Sequence, residues 1–103
     1  MSIADNLEKL LATGNDNALL RFGLGSAYFN DKEFTKAIPH LESCITQDPE
    51  YTAAYKLLGK SLFKTGSNIE SRKVFETGLP LAIKNGDKQT EKEILVFLQK
   101  LQD

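Results

Sequence analysis

The chain has very few of the residues that covalent cross-links and metal sites need. Its 103 residues include one cysteine, one histidine and no tryptophan. A single cysteine cannot form an internal disulfide, and one cysteine with one histidine cannot supply the ligands of a standard zinc site. We therefore expect a reduced, cytoplasmic protein without metal ions or other cofactors.

Long apolar runs and an excess of one charge are also missing. No stretch approaches the roughly 20 apolar residues that span a bilayer, and the start, MSIADNLEKLLATG, lacks the regions of a signal peptide. Residues 1–49 hold seven acids and four Lys or Arg (−3), and residues 50–103 hold seven acids and nine Lys or Arg (+2). We expect one domain and neither a membrane nor a nucleic acid as partner, because nucleic-acid binding usually needs more positive charge.

Helical periodicity, by contrast, runs along almost the whole chain. The apolar spacing predicts six helices, within residues 1–15 and at about 17–30, 33–46, 51–65, 68–84 and 87–101. Asn17 is expected to cap the second helix and Gly66 to end the fourth as a left-handed residue. Pro39 and Pro80 fall inside helices and are expected to kink them without breaking them. No segment has the alternation of a strand, so the predicted fold is all-α.

A shift of 34 residues superimposes parts of the sequence on each other. It carries Leu24-Gly25 onto Leu58-Gly59, and it carries Phe29 onto Phe63. A glycine inside a helix costs about 1 kcal/mol relative to alanine. Its retention at both positions predicts that a second helix packs closely against each glycine, through the small residues Ala37 with Cys44 and Ser71 with Gly78.

These residues resemble the tetratricopeptide repeat, a 34-residue unit of two antiparallel helices. Residues 18–51 match its pattern at Leu24, Gly25, Tyr28, Ala37, Leu41, Cys44 and Pro49. Residues 52–85 match it at Tyr55, Leu58, Gly59, Leu62, Gly66, Ser71, Phe75 and Gly78. The departures are Arg21 at the tryptophan position, Asn68 at an aromatic position and Ile83 at the closing proline.

The resemblance implies a short right-handed superhelical solenoid of antiparallel helix pairs. Repeat 1 would span 18–51 and repeat 2 would span 52–85, with capping helices at 1–15 and 86–103. The last segment has Lys92 and Glu93 where Leu-Gly would stand. Two repeats are fewer than the usual minimum of about three, so the end helices must cover the stack. The whole chain is similar to small stand-alone bacterial proteins of this family.

The resemblance also places a peptide-binding groove on the concave face. Its positions fall on Phe22, Ser26, Phe29, Asn30, Lys56, Lys60, Phe63 and Lys64. The three lysines are spaced i, i+4, i+8, so they form one basic stripe whose members repel each other. We interpret the stripe as a site for carboxylates and the phenylalanines as apolar contacts. The alternative is a solvated lysine face with phenylalanines packed between neighbouring helices.

No nucleophile–base arrangement, phosphate loop or metal-ligand spacing occurs in the sequence, so we expect no catalysis. His40 is expected on the surface, and Cys44 in the core as an inert thiol.

The predicted function is a non-catalytic interaction module that binds a protein or peptide, of acidic character, in the groove. The alternative is a homodimer or larger homo-oligomer formed through the end helices, with Leu95 or Phe97 as contacts. A third reading, single-stranded nucleic acid on the lysine stripe beside Phe63, is disfavoured by the slightly acidic chain.

Overall fold

The computed structural model describes residues 2–102. Over that range the chain forms six α-helices and no strand: α1 (Ile3–Ala12), α2 (Ala18–Asn30), α3 (Phe34–Gln47), α4 (Thr52–Lys64), α5 (Asn68–Lys84) and α6 (Lys88–Lys100). The prediction of an all-α fold is confirmed. The boundaries predicted for α2 to α6 lie within about one residue of the observed ones, and α1 is two to three residues shorter at each end than the predicted segment 1–15.

Local chemistry accounts for these boundaries. Ser2 and Asp5 form a capping box at the start of α1. Asn17 Oδ1 accepts a hydrogen bond from Leu20 N at 2.9 Å, as predicted. Gly66, with a φ of +85°, follows α4 in the predicted left-handed conformation. In the earlier turn that corresponds to it by the 34-residue shift, Lys32 adopts this conformation with a φ of +61°.

Both internal prolines lie within continuous helices. Pro39 is inside α3 and Pro80 is inside α5, and each helix continues for at least one further turn. The chain accepts the lost hydrogen bond because the apolar face of each helix keeps its phase across the proline.

The helices are arranged in two layers. Consecutive helices contact each other all along the chain, and α2 also contacts α4, as α4 contacts α6. Among the described residues, the backbone of α1 does not come close to that of α3, nor the backbone of α3 to that of α5. The even-numbered helices therefore form one continuous layer, and the odd-numbered helices lie on its other side.

Gly25 and Gly59 permit the close helix packing that the sequence predicts. A Cβ at Gly25 would lie 2.5 Å from Leu41 side-chain atoms, and a Cβ at Gly59 would lie 2.4 Å from the ring of Phe75. Leu41 and Phe75 thus lie directly over the two glycines, and of the predicted small residues Ser71 donates a hydrogen bond from Oγ to the Gly59 carbonyl at 2.7 Å. A buried Leu or Phe fills this space, because it contributes more apolar contact than a small residue could.

Two apolar clusters make up the core. The larger joins α1 to α4 and contains Leu24, Leu41 and Leu58. The smaller joins α5 to α6 around Phe75, Ile94 and Leu101, with Phe63 and Phe97 packed against it. The last helix therefore covers apolar side chains that would otherwise face water.

Candidate functional site

The eight predicted groove residues lie on α2 and α4, the first two helices of the even-numbered layer. The residues on α4 and those on α2 have different surroundings. Helix α4 has α6 beside it, whereas α2 has α4 beside it. Lys56, Lys60 and Phe63 contact the last helix. Phe22 of α2 contacts the turn before α4, and Phe29 contacts the start of α3.

Lys56 and Lys60 are both paired with Glu93 of α6. Lys56 Nζ lies 3.2 Å from Glu93 Oε2, and Lys60 Nζ contacts Glu93 Oε1. Only 20% and 18% of the two lysine side chains are exposed. Neither sequence reading describes these two lysines, since they are neither a free basic stripe nor a solvated face.

The same contact sets the charge state of Glu93. Hydrogen bonds from Lys60, then from Gln89 and Lys56, lower the pKa of Glu93 to about 2, against the opposing effect of its partial burial. Glu93 is therefore ionised at neutral pH and cancels one of the two ammonium charges.

An aromatic pair lies next to this ion pair. The rings of Phe63 and Phe97 meet edge to face, with centroids 5.4 Å apart. Lys60 Nζ and Lys100 Nζ lie 5.5 Å and 4.8 Å from the Phe97 centroid, within the range of cation–π attraction. Lys64, one turn beyond Lys60, is exposed and has no ion pair within residues 2–102.

We call this group the lysine–phenylalanine cluster. It consists of Lys56, Lys60, Lys64, Lys100, Phe63 and Phe97, with Glu93 as its carboxylate. Four ammonium groups and one carboxylate leave a net charge of +3 at neutral pH. An anionic group that reaches the cluster would be attracted to it.

The residues of α2 are engaged mainly within the fold. Phe22 stacks on Tyr51 with centroids 4.8 Å apart, and Phe29 meets Phe34 edge to face at 5.3 Å. Both rings are half-buried, as is Ser26, and Asn30 is exposed. The two phenylalanines thus pack between neighbouring elements, as the alternative reading describes, and each keeps an exposed edge.

A polar cluster between α1, α2 and α3 escaped the sequence analysis. Tyr28 donates a hydrogen bond to Glu8 Oε2 at 2.6 Å, which raises the pKa of Tyr28 to about 12. The ring of His40 stacks on Tyr28 at 5.7 Å, with Nδ1 3.1 Å from a guanidinium nitrogen of Arg21. Since the guanidinium can only donate, His40 Nδ1 accepts and the imidazole is neutral.

The expectation that His40 is a surface residue was therefore wrong. Its side chain is 12% exposed, and burial lowers its pKa. Helix α1 supplies the cover, because Glu8 lies 3.7 Å from His40 Nε2. The sequence alone gave no sign of this, since the contact joins residues 32 positions apart on two helices.

Two further expectations concern single residues. Cys44 is buried, as predicted, and its burial raises the pKa of the thiol to about 11, so it stays protonated at neutral pH. Phe97, predicted as a contact between copies, instead packs on Phe75 with centroids 5.4 Å apart. Phe97 is half-buried and Leu95 is 48% exposed, so the predicted contact between copies stays a prediction.

Cofactor and membrane sites were also sought in residues 2–102. In that range no three His, Cys, Asp or Glu side chains are grouped so that they could hold a metal ion. None of the six described helices has the length and apolarity to cross a bilayer.

The fold is that of a helical-repeat protein. The chain is 50% identical over 97 residues to the TPR repeat-containing protein PA0015 of Pseudomonas aeruginosa. This match covers 94% of the present chain and 92% of PA0015. The chain belongs to the tetratricopeptide repeat family, whose members generally bind other proteins and are not catalytic. No family model matches the sequence.

Solved structures give the same result. The solution structure of protein BPP2914 from Bordetella parapertussis is 44% identical, with a TM-score of 0.82 over 98% of this chain and 88% of that one. The crystal structure of a tetratricopeptide repeat domain protein from Salinibacter ruber has a TM-score of 0.75 at 19% identity, over 84% of this chain and 96% of that one. The second likeness concerns the fold alone. The predicted family is confirmed.

Proposed function

We propose that the chain is a non-catalytic module that binds an acidic segment of another protein at the lysine–phenylalanine cluster and along the even-numbered layer. The observation that carries the proposal is the charge of +3 beside two partly exposed aromatic rings. Carboxylates of the partner would pair with Lys64 and Lys100, and an apolar side chain would contact Phe63 and Phe97.

Lys64 is the residue with which to test this proposal. Lys60→Glu would bring a second carboxylate to Glu93 and destabilise the fold, so a loss of binding by that variant would be ambiguous. Lys64 is exposed and unpaired among the described residues, so Lys64→Glu reverses a charge without breaking an ion pair of the fold. Lys73→Glu on α5 is the matched control, since Lys73 is also exposed and lies on the other layer.

The experiment compares the three proteins as baits in the source-cell extract, followed by titration of any retained protein against each purified bait. We expect a partner that wild type and Lys73→Glu retain and that Lys64→Glu binds at least tenfold more weakly, about 1.4 kcal/mol. The difference should shrink as salt rises, because exposed charges are screened. Equal affinity of all three baits would remove the cluster from the proposal.

A second candidate function is self-association through the end helices. The observation that favours it is the exposure of apolar side chains at both ends of the helix array. Ile3, Leu10 and Leu19 at the first end are 70%, 49% and 71% exposed, and Leu95 and Val96 at the last are 48% and 51% exposed. Apolar side chains grouped in this way are common at protein interfaces.

A further inference from the structure

One apolar groove is open at the first end of the array, between α1 and α2. It has a volume of about 500 Å³, and Leu7, Leu10, Leu19 and Leu20 line most of it. Leu10 and Leu19 are about half and three-quarters exposed. The groove therefore presents leucine side chains to water at the start of the chain.

The 34-residue shift shows what kind of element fits this groove. It carries Leu7 onto Leu41 and Leu10 onto Cys44, which are both fully buried. Helix α2 covers that position, with Gly25 directly over Leu41. The groove between α1 and α2 thus corresponds to a place that an even-numbered helix fills one repeat later.

A second shift gives the same answer. It carries Leu41 onto Phe75 and Cys44 onto Gly78, and α4 covers both, with Gly59 over Phe75 and Tyr55 over Gly78. Even-numbered helices therefore fill two of three equivalent places. Within residues 2–102 no helix fills the first.

Helix α6 lacks the complementary partner. Helix α2 pairs with α3 and α4 pairs with α5, whereas α6 contacts only the preceding helices α4 and α5. Val96 corresponds by the shift to Leu62 and Tyr28, which are both buried, yet Val96 is 51% exposed. In α2 and α4, the face that corresponds to the outer face of α6 packs against the next helix in the chain. Among the described residues, that face of α6 has no such helix on it.

The charges at the two ends are opposite. Residues 2–17 contain Asp5, Glu8 and Asp16 but only one lysine, whereas the exposed positions of α6 include Lys88 and Lys92. Lys92 stands where α2 has Leu24, so an apolar partner face alone would not suit it. The net negative charge of residues 2–17 favours this lysine, because its stem can lie on the apolar atoms of the groove while its ammonium is attracted by these acids. Of the acids, Glu8 accepts a hydrogen bond from Tyr28 and Asp16 is paired with Arg21.

Glu93 does not obstruct this face. It occupies the position that corresponds to Gly25 and Gly59, but its carboxylate is turned to Lys56 and Lys60 of its own α4. The absence of a glycine still prevents the close approach that α2 and α4 make. An interface on this face would be looser than the contacts inside the chain.

We propose that α6 of a second copy of this chain occupies the groove between α1 and α2, so that copies associate head to tail. The inference rests on the self-association proposed above and adds its geometry. Helix α1 of one copy covers Leu95 and Val96 of the other, and the alternation of odd and even helices continues across the interface. Such a contact leaves a groove and an α6 face free at the two ends, so assemblies grow with concentration. The loose fit makes them reversible.

Sedimentation velocity of the full chain over a range of concentrations tests the proposal. Leu10→Lys blocks the groove and Val96→Lys blocks the α6 face, since each introduces an ammonium into apolar contact. We expect the mean mass of wild type to rise with concentration and each variant alone to stay monomeric. An equimolar mixture should form a one-to-one complex and nothing larger, because the only remaining faces bear two lysines that repel each other.

Circular dichroism must show that each variant is folded, and Leu19→Lys replaces Leu10→Lys if the latter is not. A wild type that stays monomeric at every concentration would overturn both the inference and the self-association candidate. If wild type associates and only one variant blocks it, the contact joins like ends. That outcome, or association that survives both variants, overturns the head-to-tail inference and leaves self-association standing.

Discussion

Single residues decide how closely the helices of this chain approach. Gly59 is the clearest case, since a Cβ there would lie 2.4 Å from the Phe75 ring, which is fully buried. The glycine loses more conformational freedom on folding than alanine would. That cost is offset by the contact between the two helix backbones and the ring.

We predict that Gly59→Ala destabilises the protein by about 1 to 3 kcal/mol, despite the better helix propensity of alanine. The added methyl must displace Phe75 or separate α4 from α5. Urea unfolding followed by circular dichroism measures the change in the free energy of unfolding.

Gly23→Ala is the matched control. A Cβ at Gly23 meets only the end of the Leu7 side chain, at 3.3 Å. We expect this variant to lie within about 1 kcal/mol of wild type, on either side, because alanine favours the helix and Leu7 can adjust. Equal losses from both variants would show that the contact with Phe75 does not govern the effect at Gly59.

At the scale of the helix, α6 is held by one buried apolar face and one ionic contact. Ile94 is fully buried, and Glu93, one residue earlier, binds two lysines of α4. Arg72 adds a hydrogen bond to the carbonyl of Leu101 at the end of the helix. Two of the three lysines of the stripe, Lys56 and Lys60, thus have a structural role.

We predict that Glu93→Gln lowers the free energy of unfolding at neutral pH by about 1 to 2 kcal/mol, a modest amount because the ion pair is only partly buried. The folded-state pKa of Glu93 is about 2, below its ordinary value of 4.5. The contribution is therefore complete above about pH 4.5 and is lost as the pH falls from there towards 2. Urea unfolding of wild type and variant at a series of pH values measures this.

Glu42→Gln is the control for the removal of a charge, since Glu42 is exposed on α3. We expect its effect on the free energy of unfolding at neutral pH to be smaller than that of Glu93→Gln. A Glu93→Gln effect that persists unchanged at pH 2 to 3 would mean that the carboxylate does not act through its charge.

The helix scale is also where the sequence is most informative. Caps, terminal glycines and apolar spacing act over a few residues, so Asn17, Gly66 and the six helices could be predicted from local pattern. The partner of Lys60 could not, because it lies 33 residues away on a helix that departs from the repeat. The one available sign was an acid, Glu93, at the position of Gly25 and Gly59.

On the scale of the whole molecule, the chain is an elongated array in which helices contact only near neighbours. Its principal extents are 42 × 28 × 19 Å, and among the described helices the backbone of α1 comes close to that of α2 alone. The core is correspondingly divided into a cluster over α1 to α4 and another over α5 and α6. Stability in such an array is approximately a sum of local terms, so damage at one end should stay there.

We predict that Ile94→Ala, which removes a fully buried side chain of α6 at a cost of about 2 to 5 kcal/mol, lowers hydrogen-exchange protection most in α5 and α6. Leu24→Ala removes an equally buried side chain of α2 and should lower it most in α1 to α3. Amide exchange followed by NMR compares the two profiles helix by helix. Because α4 contacts both ends of the array, its protection should fall in both variants. A uniform loss along the chain in both variants would instead mean that the six helices unfold as one unit, and that the two apolar clusters are a single cooperative core.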